Sequence, residues 1–154
     1  MRRTDREVTD FSEILDILRR ADTIRLALHD EPYPYVVPLS FGFEASDGKI
    51  ALYFHGAKEG LKHELIARNP YVCAEADIFH RYADLPNGEV TTEYESVIGF
   101  GRCERVTGEE AAKGADLLCT HCGHDGYVYD SAALEATAVY RVTLERFSGK
   151  RRRV

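Results

Sequence analysis

Six segments rich in β-branched and aromatic residues dominate this chain, and they do not alternate regularly with helices. The first of them alternates apolar and polar side chains, with Ile24, Leu26 and Leu28 expected to face the core. The predicted strands are Thr23–Leu28, Pro34–Glu44, Lys49–His55, Tyr71–Asp77, Tyr94–Val106 and Thr137–Phe147. Because parallel strands need long crossovers, the pattern predicts a mainly β domain, a six-stranded antiparallel barrel with peripheral helices.

Capping signals place the helices. Asp10 with Glu13 forms a capping-box pattern, and Thr107 with Glu110 repeats it. Residues 120–130 are expected to form a polar loop. Helices are predicted over residues 11–20, from near Gly60 to Asn69-Pro70, and from Thr107 to about Cys119, with a helical turn at Ser131–Glu135.

Length and charge exclude several classes of protein. The 154 residues fit one domain, 1–154, and the net charge of −6 argues against a nucleic-acid-binding protein. No stretch approaches the roughly 18 apolar residues of a membrane helix, and no apolar stretch follows the charged N-terminus as in a secretory signal. We therefore expect a cytoplasmic protein that acts on a small molecule, with neither a membrane nor a nucleic acid as partner.

Positive charge is concentrated at both ends of the chain, in Arg2, Arg3 and Arg6 and in the run Lys150–Arg153. Such ends are usually solvated. Docking on an anionic ligand or partner is the alternative interpretation.

The connection between the third strand and the following helix has the residues of a phosphate site. Gly56 and Gly60 permit close backbone approach, and the amides at a helix start favour an anion. Lys58 and Lys62 add positive charge at the same place. The pattern is not a P-loop, because the Gly-Lys-Ser/Thr ending is absent. The alternative is a glycine-rich connection with solvated lysines.

Two strands carry features that suit a flat ligand. Pro34 and Pro38 lack amide donors, so parts of their strand leave ladder positions unpaired, facing either solvent or a ligand. Gly99 and Gly101 remove the side chains from one face of another strand. Such a face marks close approach of a ligand or of another backbone, or a sharp bend of the barrel.

Four segments form a pattern that is specific only in combination: YPYVVPLSF (33–41), YFHGAKEGLKHELIARNP (53–70), YESVIGFGRCERV (94–106) and FSGKRRR (147–153). Together they resemble the pyridoxamine 5′-phosphate oxidase-like FMN-binding split barrels, with the 5-nitroimidazole resistance (Nim) proteins as the nearest branch. The similarity covers nearly the whole chain, and residues 78–92 and 119–130 are least like the family. The resemblance implies a Greek-key split β-barrel that forms a homodimer with FMN at the subunit interface.

The resemblance also implies roles for individual residues. Ser96 falls where the oxidases place a glutamine on the flavin, and Leu61 falls where they commonly have an arginine. These departures, and the absence of tryptophan, argue against pyridoxamine phosphate oxidase activity itself. The implied cofactor-binding residues are Val36, Val37, Pro38, Leu39 and Ser40 along the ring and ribityl chain, His55, Gly56 and Ala57 near the ribityl and phosphate, Lys58 and Lys62 on the phosphate, and Ser96.

His55 is the candidate catalytic residue. A histidine at a strand end beside glycines can donate a hydrogen bond to a flavin or protonate a substrate, because both of its charge states are accessible near neutral pH. A purely structural hydrogen bond is the alternative. The function implied is an FMN-dependent oxidoreductase that reduces nitroimidazole-type compounds. The alternative function is a carrier that binds flavin or haem without turnover.

The motif Cys119-Thr-His-Cys-Gly-His124 has ligand types that could bind zinc, and its Cys-x-x-Cys pair could be a redox couple. No second cluster with zinc-like spacing occurs elsewhere. The favoured interpretation is a helix end and loop without a metal. His63 and His80 have no partner pattern and are expected to be solvated or packed.

Overall fold

The computed structural model describes residues 3–128 and 131–154, so the predictions that fall on Arg2 and on the end of the 120–130 loop lie partly outside the described residues. A 3₁₀ turn, Thr4–Arg6, precedes the first strand. The elements are β1 (Glu7–Val8), α1 (Phe11–Arg20), β2 (Ile24–Leu28), β3 (Tyr35–Leu39), β4 (Gly42–Ser46), β5 (Lys49–Ala57), α2 (Leu61–Arg68), β6 (Tyr71–Asp84), β7 (Val90–Val106), α3 (Gly108–His121), α4 (Ser131–Ala136) and β8 (Thr137–Arg152).

The strands form one antiparallel sheet in the order β3-β2-β6-β7-β8-β5-β4, with β1 paired to β8. The predicted mainly β antiparallel class is confirmed, but the described chain has eight strands where six were predicted. The segment predicted as Pro34–Glu44 divides at Ser40-Phe41 into β3 and β4, which pair with different neighbours. The remaining extra strand, β1, is two residues long and carries no periodic signal.

Four strands are longer than predicted. β5 continues two residues further, to Ala57. β6 and β7 continue as a hairpin arm to the pair Asp84↔Val90, because cross-strand pairing holds this polar segment extended. β8 continues to Arg152. Lys150–Arg152, which are expected in a solvated terminus, pair with β7 in the sheet, and their side chains are partly exposed.

The core lies inside the curved sheet and under α1. Ile24, Leu26 and Leu28 are buried, as their alternation predicts. Helix α1 covers one end of the barrel with Ile14, Ile17 and Leu18, and the Asp10 side chain caps it by accepting a hydrogen bond from the Glu13 amide at 3.1 Å. Among the described residues, no helix is long and apolar enough to cross a membrane.

Helix α3 begins where predicted, but its capping box does not form. The Thr107 side chain makes no capping hydrogen bond. Its expected partner, Glu110, instead receives hydrogen bonds from the hydroxyl of the buried Tyr53, at 2.5 Å, and from Arg141, at 3.1 Å. The carboxylate therefore ties α3 to the barrel and is not available to the helix end.

Candidate functional site

The barrel is split between β3 and β5. Strand β4 pairs with β5 as far as Gly42↔Tyr53, and there the pairing ends. Ser40, in the connection between β3 and β4, and His55, on β5, each lie two residues beyond that last pair. Strand β3 pairs only with β2, so its other edge, which contains Pro38, faces the opening. The two segments predicted to contact the flavin, 36–40 and 55–57, therefore flank one gap.

The side chains of β3 divide between the two faces of the sheet. Val37 and Leu39 pack against the core. Val36, Pro38 and Ser40 are exposed on the outer side. An edge strand of this kind offers backbone groups along its free edge and a flat apolar surface beside it, as a planar ligand requires.

Helix α2 begins directly beyond β5 and leaves its first amides without a side-chain cap. Gly60 is the N-cap residue, with a φ of 113° and no capping hydrogen bond. This backbone conformation is one that L side chains rarely adopt, which explains the glycine. The uncapped amides at the start of α2 are free to donate to an anion.

The Lys62 ammonium lies over Gly56. A Cβ added to Gly56 would come within 2.7 Å of Lys62 Nζ, which also lies 5.3 Å from the centre of the Phe54 ring. Burial lowers the pKa of Lys62. No carboxylate of the described residues lies within 4.0 Å of this half-buried ammonium. The site thus holds a positive charge that the described part of the chain does not neutralise.

His55 stands next to Gly56 with its side chain exposed at the mouth of the split. Partial desolvation, together with the charge of Lys62, lowers the pKa of His55. The imidazole is therefore mainly neutral at pH 7, with one nitrogen able to donate and the other able to accept a hydrogen bond. Lys58, on the loop between β5 and α2, is exposed.

His63 and Tyr140 hold α2 against the barrel, a role that the sequence does not reveal. His63 Nδ1 and the hydroxyl of the buried Tyr140 share a hydrogen bond between residues 77 positions apart. The Tyr140 ring stacks on Phe54, with centroids 5.1 Å apart and planes 13° from parallel. These contacts fix the start of α2 and, with it, Lys62.

Ser96 is not part of this cluster. On β7, Ser96 is in register with Asp77 of β6 and Lys150 of β8. His55 of β5 is in register with Val139 of β8, and Val139 is in register with Val106 of β7. At about 3.3 Å per residue, Ser96 is roughly 30 Å along β7 from the level of His55. Ser96 is therefore far along the strand from His55, but the registers Pro38↔Arg25, Arg25↔Glu75 and Glu75↔Ile98 place it near the level of β3, three strands away across the sheet.

Gly99 and Gly101 have structural explanations. A Cβ on Gly99 would come within 2.6 Å of the Leu144 side chain, and one on Gly101 would overlap the backbone of Thr143. A register shift between Phe100 and Gly101 bends the β7–β8 ladder at this point. Of the alternatives open in the sequence, close approach of a neighbouring backbone is observed at Gly101, and a neighbouring side chain fills the space at Gly99.

The Cys119–His124 segment does not assemble a metal site among the described residues, where no group of three or more His, Cys, Asp or Glu side chains could hold an ion. His121 instead contacts the carbonyl of Ala21 at 2.8 Å, and its ring packs 4.3 Å from that of Phe41. Cys122 is exposed. His121 is therefore occupied by packing between α3 and the barrel.

Comparison with solved structures identifies chains of the same fold. A protein from Bacteroides thetaiotaomicron, to which a role in 5-nitroimidazole antibiotic resistance is ascribed, superposes with a TM-score of 0.83 at 29% identity, covering 94% of this chain and 85% of that one. An FAD- and haem-binding protein from Mycobacterium smegmatis gives 0.80 at 19% identity, over 97% of this chain and 74% of that one. The flavocytochrome Anf3 from Azotobacter vinelandii gives 0.77 at 20%, over 100% and 72%.

A search of curated proteins returns no significant match. The family profile described as pyridoxamine 5′-phosphate oxidase matches residues 10–151, which is nearly the whole chain. The chain belongs to the pyridoxamine 5′-phosphate oxidase family.

Proposed function

We propose that this protein is an FMN-dependent oxidoreductase. The observation that carries the proposal is the half-buried Lys62 ammonium, which lies over Gly56 beside the uncapped start of α2 and has no carboxylate partner in the described chain. A phosphate monoester matches this set of donors, because it is a dianion that accepts several hydrogen bonds at once.

The residues around the split fit the remainder of FMN. Lys62, Lys58 and the first amides of α2 hold the phosphate, and His55, Gly56 and Ala57 line the ribityl chain. The isoalloxazine lies along the free edge of β3, on Val36, Val37, Pro38, Leu39 and Ser40. Ser96 lies near the level of β3 but three strands away in its own chain, and in the proposed dimer it contacts the flavin across the subunit interface.

When bound, the flavin supplies the acceptor and donor of electrons that no side chain provides. The chain's own contribution is to orient the ring on β3 and to place a neutral His55 beside the ribityl chain, within reach of the ring. There neutral His55 donates a hydrogen bond to the ring, and its imidazolium form, the minor species at pH 7, passes a proton to a substrate. Nitroaromatic compounds of the nitroimidazole type are the proposed substrates, supported by the role ascribed to the Bacteroides relative.

The same arrangement favours a homodimer with the flavin between subunits. The outer face of the sheet exposes apolar side chains that a second copy would cover. Val36, Ile98, Phe100 and Tyr71 are between 39% and 61% exposed in the single chain. A second subunit on this outer face would close the gap between β3 and β5, which is open in the single chain.

Absorption spectroscopy of the purified protein tests the cofactor. We expect the visible bands of an oxidised flavin and, after acid release, the mass of FMN at one per chain. A colourless protein that does not take up added FMN, or release of haem instead, would overturn the proposal.

Anaerobic addition of NADH or NADPH tests turnover. Bleaching of the flavin bands, followed by their return on addition of a nitroimidazole, is the result expected of the oxidoreductase. Bound flavin that neither reductant bleaches would identify the alternative function, a carrier. His55→Gln should bind FMN within about tenfold of the wild type, which is the effect of one neutral hydrogen bond, while turnover falls more steeply.

A further inference from the structure

The arm formed by β6 and β7 contains a β-bulge that turns one aromatic side chain over. The register shifts by one residue between Phe79 and Arg81, so His80 is an extra residue in β6. Without it, Phe79 and Tyr82 would point to opposite faces of the strand, because side chains alternate along a strand. With the bulge, their rings form an edge-to-face pair with centroids 5.1 Å apart. Bulges that re-aim a side chain in this way are over-represented next to active sites.

Polar contacts hold the arm in place on its other face. His80 Nε2 lies 3.1 Å from the buried carboxylate of Glu95. Glu93 is also buried, and it accepts hydrogen bonds from Arg81 at 2.8 Å and from the backbone amide of Val154 at 2.8 Å. The aromatic pair is therefore presented to the outside from a strand that is anchored on its inner side.

The aromatic pair lies on the face of the sheet that carries Ser96. Glu95 and Val97 of β7 are buried, whereas Ser96 between them is half-buried on the outer face. Ser96 is in register with Asp77, so Phe79 is its diagonal neighbour on β6. Diagonal neighbours on one face lie about 7–8 Å apart, within reach of an aromatic side chain. A ligand that contacts Ser96 from outside the sheet therefore comes within reach of the Phe79 ring.

Neither ring of the pair is covered in the single chain. Phe79 is 54% exposed and Tyr82 72% exposed, and Val90 on the same arm is 64% exposed. Adjacent exposed apolar side chains mark a binding site, whereas apolar residues exposed singly need no explanation. The face of an aromatic ring carries partial negative charge, so it attracts a flat ring whose electron density is lowered by a nitro group.

We propose that Phe79 and Tyr82 form one wall of the substrate site over the flavin of the partner subunit, where they select flat, electron-poor aromatic compounds. This inference rests on the proposed function, in which Ser96 of one chain lies beside the flavin held by the other. The arm then reaches across the interface to the open side of the flavin ring. Phe79 stacks on the substrate, and Tyr82 is a positioning residue that supports the Phe79 ring from the side. Neither residue transfers an electron or a proton.

Calorimetric titration of the oxidised, FMN-loaded protein with the nitroimidazole metronidazole, without a reductant, tests the wall in the absence of turnover. Phe79→Leu keeps the apolar bulk and removes the ring, and we expect it to weaken binding by about fivefold or more. Phe79→Tyr keeps the ring, so it is the matched control and should bind as the wild type does. Ferricyanide needs no stacking and should reoxidise the reduced flavin of all three proteins at the same rate.

A mixed dimer tests whether the arm acts across the interface. One chain carries Lys62→Ala, which empties its own flavin site at limiting FMN and leaves its arm intact, and the other carries Phe79→Leu. Each variant alone should bind metronidazole poorly. The two chains are co-expressed with different tags and purified over both. We expect the mixed dimer to recover wild-type affinity at one site per dimer, because the Lys62→Ala chain supplies an intact arm to the flavin of the Phe79→Leu chain.

Three results would overturn this inference alone. The first is Phe79→Leu that holds FMN and binds metronidazole as tightly as the wild type. The second is a mixed dimer that binds no better than Phe79→Leu, which would show that the ring does not act across the interface. The third is a fall of the sedimentation mass of Phe79→Leu to that of one chain, which would identify the pair as a contact between copies. Wild-type protein that takes up no FMN would instead overturn the proposed function, and this inference with it.

Discussion

Lys62 Nζ occupies the space that a Cβ on Gly56 would need, with only 2.7 Å between the two positions. Because Gly56 on β5 has no side chain, it leaves the space that the ammonium of Lys62 on α2 occupies. The contact also explains why burial lowers the pKa of Lys62, because the ammonium is held against the sheet and not in solvent. The position of this ammonium is set by the backbone beneath it.

Gly56→Ala should displace the ammonium without unfolding the protein. The atom that the new methyl group meets is the end of a flexible side chain, so the lysine can move aside. We expect FMN affinity to fall by about tenfold, the range of one charge-assisted hydrogen bond, with the midpoint of urea unfolding nearly unchanged. Fluorescence titration and urea denaturation measure the two quantities. A large loss of stability with normal FMN affinity would contradict this.

Lys62→Ala should weaken FMN by about 1.5–3 kcal/mol, the range for a hydrogen bond to a charged group. Riboflavin, which lacks the phosphate, should bind the variant and the wild type almost equally. Because the contact is ionic, the affinity of the wild type for FMN should also fall with added salt. If Lys62→Ala weakens riboflavin as much as FMN, the lysine supports the fold and the phosphate lies elsewhere.

The sequence predicts the elements with local signals and misses those defined by distant partners. Helix α1 and strand β2 follow from a cap and from apolar periodicity. The arm beyond Asp77 has no such periodicity, since both of its faces carry polar or exposed side chains, and only pairing with β7 makes it a strand. The sequence predicts that Lys62 lies near Gly56 at the start of α2. It does not predict the hydrogen bond between Tyr140 and His63 that holds α2 in place, because these residues are 77 positions apart.

Glu95 is the clearest case of a contact that the sequence conceals. Nothing in the sequence distinguishes Glu95 from an exposed charged residue of a strand, yet its side chain is fully buried. Arg20 on α1 contacts it at 2.6 Å and His80 on β6 at 3.1 Å, and both arginines that flank Arg152 contact it as well. Burial alone would raise the pKa of Glu95, but these hydrogen bonds outweigh it and lower the pKa to about 2.

Glu95→Gln should destabilise the protein by about 1.5–3 kcal/mol, because three partly exposed arginines lose a charged acceptor while Arg20 and Arg151 keep Asp16 and Glu13. The carboxyl's pKa falls from 4.5 to about 2 on folding. Its contribution is therefore present above about pH 4.5 and is lost as the pH falls towards 2. Urea unfolding between pH 7 and pH 3 measures both effects.

Glu13→Gln is the matched control for this prediction. Glu13 also contacts Arg151, at 3.2 Å, but its side chain is 50% exposed. Its loss should change the free energy of unfolding by no more than about 1 kcal/mol. We expect the acid-dependent loss of stability to be shallower in Glu95→Gln than in the wild type. Equal slopes and equal stabilities would show that Glu95 carries no such charge interaction.

His121→Ala should lower the stability of the protein, whereas Cys122→Ser should leave it unchanged. His121 bonds the Ala21 carbonyl and packs on Phe41, so its loss should cost about 1–3 kcal/mol. Cys122 is exposed, and its replacement should leave the melting temperature and the flavin content unchanged. Stoichiometric zinc by elemental analysis, lost from both variants, would instead establish a metal site in the Cys119–His124 segment.

The exposed outer face of the sheet leads to a prediction about assembly. Ile98 lies near the middle of β7 with Phe100 two residues on, and both project outward. If a second copy covers this face, sedimentation should give twice the 17.4 kDa mass of the chain. Ile98→Glu should then shift the protein towards monomer, because the dimer would have to bury an unpaired charge.

Thr120→Glu adds the same charge at an exposed position on α3, away from that face, and should leave the mass unchanged. The Ile98→Glu monomer should also lose FMN, since in the proposed dimer the flavin lies between the subunits and its contact with Ser96 comes from the other chain. A monomeric wild type at micromolar concentration would contradict the dimer. A monomeric Ile98→Glu with undiminished FMN affinity would place the whole flavin site within one subunit.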